Sequence, residues 1–319
     1  MTLNLLIDSL VRSLQVGSMY ALMAIGLTLT LAVIKLPNFA HAELITVGAY
    51  AALLTSLFLS TNPFLVLGIA ALATAVVALF CHLAVYRPLG EHSPTQYTLL
   101  LSSFAVGLIL RYIIFLFVDR LDLFDKRIQI QQSILIQNDW FTLTNIFVWV
   151  VPTSIGLVIA LSLLLHFTPL GREMRALADN RTLARVLGIP VARVVNLTWL
   201  LVGALTGVGG ALWGLFTFVN PLVGWLGILS VFAASILGGM TSFVGTILGA
   251  YLVAFSENTV MLALNSWFGI DFSFKPAIPF LIIIVVLLVR PQGFSGLTFR
   301  REGPPAASGG KVNEAQTTQ

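Results

Sequence analysis

The sequence predicts an all-α fold, a polytopic transmembrane helix bundle of about nine crossings (eight to ten) with broken or re-entrant segments. Three observations predict it. Hydrophobic residues fill 58% of the 319 positions and charged residues only 9%, against about 25% charge in soluble domains. Apolar runs near the roughly 20 residues that a helix needs to cross a bilayer recur along the chain. The polar stretches between them alternate in charge sign, as loops on opposite sides of a membrane do.

The first span is expected at 14–34, ended by Lys35 and Pro37. The second begins in 38–43 and continues to about 59. Asn62-Pro63 is a turn, the third span covers 64–85, and a polar loop with Arg87 and His92 leads to the fourth, 97–118. Residues 119–140 hold four acids (Asp119, Asp122, Asp125, Asp139) against three bases, too polar for lipid. The fifth span is 147–167 and the sixth 196–219, broken by Asn220-Pro221. Residues 222–264 are too long for one crossing, and Gly238-Gly239 supplies a tight turn. They divide into a short, broken or re-entrant segment at 222–237 and a span at 243–264. An interfacial connection at 267–276 precedes a ninth span, 277–289, closed by Arg290-Pro291.

Charge orients these spans. Lys35, Arg87, Arg290, Arg300 and Arg301 share one side with the Arg-rich loop, whereas Asp119 to Asp139, Glu257 and Asp271 fall on the other. The positive-inside rule then puts the N-terminus outside and the C-terminus in the cytosol. Residues 1–302 read as one membrane domain. Residues 303–319 have no apolar periodicity and read as a disordered cytoplasmic tail. The net charge of +4 lies in loops and tail, so orientation explains it and nucleic acid is not implied. The single cysteine, Cys81, lies in an apolar run and reads as a buried, inert thiol. No basic leader with a small-residue cleavage site opens the chain.

The long polar interruption is 170–195, with five arginines (Arg172, Arg175, Arg181, Arg185, Arg193) against Glu173 and Asp179. It reads as two short helices, 171–178 and a second opened by Asn180 as N-cap and closed by Gly188 in the left-handed conformation. Such a hairpin is either a positive-inside anchor or a docking element for a cytosolic partner, and composition by itself points to the anchor.

The order of residues points to docking. Gly171, Arg175, Ala176, Ala184, Gly188 and Ile189 stand where the cytoplasmic coupling motif of ABC-importer permeases has its glycine, basic residue, alanines and closing Gly-Ile. The chain resembles the branched-chain amino acid (Liv-type) permease family. The resemblance recurs at Asn38-Phe39-Ala40-His41-Ala42-Glu43 with Gly48-Ala49-Tyr50, at Gly238-Gly239 with Gly245 and Gly249, and at Arg290-Pro291-Gln292-Gly293, and it spans about 14–293. It implies a permease subunit in the bacterial inner membrane that moves branched-chain or other neutral amino acids. It further implies a second, related permease chain, two cytosolic ATPases docked at the coupling loops and an extracytoplasmic solute-binding protein. Urea or another small amide is the rival substrate, and an ion-coupled carrier or channel the rival class.

The residues themselves hold no enzyme constellation. The histidines (His41, His82, His92, His166) are scattered, His82 and His166 reading as interfacial, and no Cys cluster or Walker-type loop is present. No catalytic, metal or cofactor site is therefore expected, and ATP hydrolysis belongs to another chain. The polar group that stands out is Asn38, His41 and Glu43, at the start of an apolar helix. It is either solvated at the interface or recessed into the bundle on the translocation pathway. In the recessed case a helix beginning at Asn38 would offer its free N–H groups to a carboxylate. Glu43 would then accept from a substrate ammonium or hold His41 or a partner helix. His41 and Glu43, two apart, would not pair within one helix. Gly203 and Gly207, and Gly238 with Gly245 and Gly249, read as close-packing faces.

Overall fold

The computed structural model describes residues 3–91, 95–130, 133–138, 140–290 and 292–294. The tail at 303–319, together with His92, Asp139, Pro291, Arg300 and Arg301, lies outside the described residues.

Helix α1 (Leu3–Leu29) continues through a π-helical turn (Thr30–Ile34) and stops at Lys35, whose φ is +62°. It starts eleven residues before the expected 14 because Asp8 and Arg12, four apart, neutralise each other in an exposed ion pair of 2.9 Å. Helix α2 is His41–Phe58. Helix α3 (Pro63–Cys81) has proline in its first turn and the Asn62 side chain as cap, and runs through a second π-helical turn (His82–Tyr86) into α4 (Arg87–Glu91). Helix α5 is Gln96–Leu121.

The acidic loop then holds a feature absent from the sequence reading, an antiparallel pair of β1 (Ile134–Gln137) and β2 (Thr142–Thr144). β-Branched residues at every other position, Ile134 and Ile136 in β1 and Thr142 and Thr144 in β2, suit a short ribbon. Next come α6 (Asn145–Phe167), α7 (Pro169–Asp179), α8 (Arg181–Val186) and α9 (Val191–Phe216). Helix α10 (Val223–Gly238) turns at Gly239 (φ +97°) into α11 (Phe243–Phe255), which passes through a π-helical turn (Ser256–Val260) into α12 (Met261–Phe268). A 3-10 turn (Phe272–Phe274) precedes α13 (Ala277–Val289).

Among the described residues seven helical segments are long and apolar enough to cross a membrane, and Val223–Gly238 and Ala277–Val289 are shorter apolar helices. Together they fall within the range of eight to ten passes expected. Contacts at the ends make the passes alternate between two faces. On one, Asp8 meets Thr142, Ser56 meets Gln129, and Lys126 bridges to Val219. On the other, Ile34, Arg87 and Gln96 border the α7–α8 hairpin, and Gly293 packs on Gly239.

Helices α1, α2 and α9 form the buried centre, and α5, α6 and α13 turn large apolar side chains outward. Glycine lets the central helices touch backbone to backbone, as the sequence predicted. Gly203 and Gly207 of α9 lie on Ala75 and Ala70 of α3, Gly48 of α2 meets Gly207, and Gly238 and Gly249 join α10 to α11. A Cβ at Gly203 would lie 2.5 Å from Ala75 Cα. Gly203→Leu is therefore expected to destabilise the chain by about 1–3 kcal/mol or more, read as a lower thermal midpoint of the purified protein.

Glu257 was expected on the acidic side of the membrane, within the 243–264 span; the structure adds what it touches. It is buried in the π-helical turn, accepting from Tyr20 Oη at 2.9 Å and from Ser230 Oγ, and so ties α1, α10 and α11 together. Nearby, outside the spans, Lys275 Nζ donates to Asn258 Oδ1 (2.8 Å), and burial holds its pKa below the usual lysine value. His82, expected at the interface, is buried, stacked 5.7 Å from Trp199. His166 is exposed, as expected.

Candidate translocation and coupling sites

The segment after α1 folds back into the bundle. Lys35 in the left-handed region and Pro37, which cannot continue a helix, turn the chain. Ser103 Oγ of α5 holds the re-entering strand by accepting from Phe39 N (3.2 Å) and donating to the Pro37 carbonyl (3.0 Å). Helix α2 then begins at mid-depth. His41 Nε2–H donates to the Met23 carbonyl at 2.8 Å, and Met23 lies eleven residues, about 16 Å, up α1 from Ile34. From the other side Thr206 Oγ1 of α9 stands 3.4 Å from the same nitrogen.

All three predicted residues are buried. Asn38 Oδ1 accepts from Tyr86 Oη (3.4 Å), while among the described residues Asn38 Nδ2 and His41 Nδ1 have no partner. Glu43 Oε1 receives both Nε (2.8 Å) and Nη2 (2.5 Å) of Arg111, and its Oε2 has no partner among the described residues. The Glu43 side chain is 1% exposed and that of Arg111 15%. The guanidinium lies 4.2 Å from the ring centre of Trp225, in a cation–π contact. Trp225 sits in the first turn of α10, whose Gly224 N donates to Thr46 Oγ1 (3.1 Å) and whose Gly224 Cα faces the Ala42 carbonyl without a Cβ between. Two interrupted helices, α2 and α10, thus start side by side inside the bundle, with an ion pair between α2 and α5, and the ring of Phe39 on the re-entering segment packs against those of Phe104 and Phe232.

The expected use of free helix-end amides does not hold. The helix begins three residues after Asn38, and the amides of His41, Ala42, Glu43 and Leu44 already donate to the carbonyls of Asn38, Phe39 and Ala40 at 3.0 to 3.4 Å. The strong donor here is Arg111, which the sequence reading passed over. Its signal was present, because Arg111 is the only ionisable residue of 97–118 other than two tyrosines, and an intramembrane charge marks a site and demands a partner.

The hairpin follows its local code. Thr168 Oγ1 caps α7 through Gly171 N (3.2 Å), two residues earlier than predicted, and Asn180 Oδ1 caps α8 through Leu183 N (3.0 Å). Gly188 has φ +81°, and a Schellman pair closes α8, with Ile189 N on the Ala184 carbonyl (3.0 Å) and Gly188 N on that of Arg185 (3.1 Å). The six predicted residues divide by what they touch. A Cβ at Gly171 would fall on the backbone of Leu165, and Arg175 Nη1 donates to the Leu165 carbonyl. Ala184 is buried under α8, while Ala176 and Ile189 are half-buried. What the hairpin presents outward is Leu183, Val186 and Leu187, the last two 77% and 70% exposed. Their i, i+3, i+4 spacing on a short basic helix was legible as an apolar stripe.

The family model described as branched-chain amino acid transport system / permease component matches residues 9–288. The chain is 33% identical over 290 residues to the probable branched-chain amino acid transport permease protein LivH of Methanocaldococcus jannaschii, covering 89% of this chain and 91% of that one. It is 28% identical over 304 residues to the high-affinity branched-chain amino acid transport system permease protein LivH of Escherichia coli (strain K12), covering 91% and 95%. A solved structure, PsaBC from Streptococcus pneumoniae in complex with Fab, superposes with a TM-score of 0.47 at 13% identity over 89% of this chain and 91% of that one. With seven membrane-length helices and a family match over most of its length, the chain is a multi-pass membrane permease of the branched-chain amino acid transport permease-component family.

Proposed function

We propose that this permease translocates branched-chain or other neutral amino acids, working beside a second, related permease chain with two cytosolic ATPases and an extracytoplasmic binding protein. The observation that carries the substrate class is the buried Glu43–Arg111 pair between two helix starts. A zwitterion brings one carboxylate and one ammonium. It can therefore open the pair by exchange, its carboxylate taking Arg111 and its ammonium taking Glu43, without leaving either charge unpaired in a low-dielectric site. Phe39, Phe104, Phe232 and Trp225 offer apolar and aromatic surface for a branched side chain. Asn38 and His41, each with an unpartnered buried nitrogen, hold or contact polar groups on the same route. Urea or a related amide, carrying no charge, would make no use of the pair.

Coupling is assigned to the hairpin within 170–195. Gly171, Arg175, Ala176, Ala184, Gly188 and Ile189 build its shape, and Leu183, Val186 and Leu187 press on an ATPase. Closure of the ATPases would move the hairpin as a unit and shift α9, which follows it after Pro190, to switch access. In this reading residues 1–302 form the permease domain, residues 303–319 a cytoplasmic tail, and the hairpin faces the cytosol. Uptake by proteoliposomes containing the assembled complex, with and without ATP, tests the whole. Single cysteines at Ser133 and Ser308, in a Cys81→Ser background, are expected to react with a membrane-impermeant thiol reagent from opposite sides. Labelling from the same side would overturn the odd number of crossings.

A further inference from the structure

Where the ends of α1, α3, α5 and α9 meet the α7–α8 hairpin, the protein forms a half-open cavity of about 1030 Å³. Three cations, Lys35, Arg181 and Arg185, border it against one acid, Asp179, and Arg87, which has a partner of its own, stands beside them. Part of the lining is apolar, with Ile34, Leu36, Leu99 and Val195. His82, only 7% exposed, and Asn196 lie side by side in the wall. Neither the Glu43–Arg111 pair nor the outward stripe of α8 accounts for this cavity.

Like charges gathered around one opening repel, and an anion among them relieves that repulsion. The cavity lies where α1, α5 and α9 end at the hairpin, and its cations are exposed while Ile34, Leu36, Leu99 and Val195 are buried or half-buried. A free phosphate would satisfy the rim and leave the apolar part unfilled. An amphiphile with a phosphodiester head and an acyl chain matches both, and basic pockets between helix ends bind such headgroups. We propose that this cavity is a binding site for one anionic phospholipid, with the phosphate held by Lys35, Arg181 and Arg185 beside Arg87. The lipid then wedges between the hairpin and the ends of α1 and α9, and links hairpin position to the composition of the leaflet.

The test uses the assembled transporter in detergent, titrated with short-chain phosphatidylglycerol, short-chain phosphatidylcholine or inorganic phosphate while the thermal midpoint is followed, with native mass spectrometry to count retained lipid. Phosphatidylglycerol is expected to raise the midpoint where the other two do not, and one molecule per chain should be retained. Arg181→Gln with Arg185→Gln should weaken its apparent affinity roughly thirtyfold, from the worth of two basic groups near an anionic headgroup. Lys35→Gln, outside the hairpin, should weaken it as well and serves if the double variant does not assemble. An equal shift from phosphate alone overturns the lipid in favour of a free anion, and an equal shift from phosphatidylcholine overturns headgroup recognition. No shift and no retained lipid removes the site. Weakened ATPase affinity in these variants with an unchanged phosphatidylglycerol response assigns the cations to the ATPase instead.

Discussion

Glu43→Gln is expected to reduce amino-acid uptake at least about a hundredfold, because removing one member of a buried ion pair leaves the other charge uncompensated at a penalty of about 3–5 kcal/mol. Lower uptake by itself would not separate a pathway residue from a structural tie, since Glu43 also joins α2 to α5. The double variant Glu43→Gln, Arg111→Gln separates them. With both charges gone nothing is left unpaired, so the thermal midpoint of the purified complex should recover most of what the single variant lost. If the pair serves by exchanging partners with a zwitterion, uptake should stay abolished while the binding protein keeps its affinity and the ATPases still assemble. Restored uptake in the double variant would mean that the pair only holds helices together. Arg111→Lys adds a finer reading: an ammonium keeps the charge but loses the two-nitrogen grip on Oε1 and the flat contact with Trp225, so partial uptake is expected.

Gly188→Val is expected to abolish substrate-stimulated ATP hydrolysis and uptake while leaving insertion in the membrane unchanged. The cause is backbone conformation and not crowding, because an added Cβ would meet nothing within 4 Å whereas φ is +81°. A β-branched residue resists that region most, alanine less at about 1–2 kcal/mol, and asparagine least, since its side chain can bond locally there. Coupling should therefore fall in the order Asn, Ala, Val, which a steric account would not produce. Val186→Asp, exposed and outside the backbone argument, should weaken ATPase docking with the hairpin intact. Full uptake by a well-expressed Gly188→Val protein would sink the coupling role.

The parts of the molecule that were legible were those written locally. Asn180 and Gly188 announced a cap and a left-handed closure, and both are present because each depends on a handful of neighbouring backbone groups. The recessed start of α2 was half legible: Pro37 and the polar trio marked an interruption, but its depth depends on where Met23 of α1 and Thr206 of α9 lie. The ribbon at Ile134 was missed because a polar loop gave no period to read.

By itself the sequence determined the number of apolar segments, the hairpin and its caps, and the glycines at which helices had to touch, since length, caps and absent side chains act at short range. Only the tertiary structure decided which helices are central, which charges pair and which acids are buried. In a soluble protein the polar face of a helix shows which side is outside, whereas here lipid and core are both apolar, so the run of α5 with its outward face reads much like that of α1, buried along most of its length. Glu43 and Arg111, 68 residues apart, and Glu257 with Tyr20, 237 apart, are joined by that packing, because a charge or carboxyl kept from water must find its partner wherever the fold brings one.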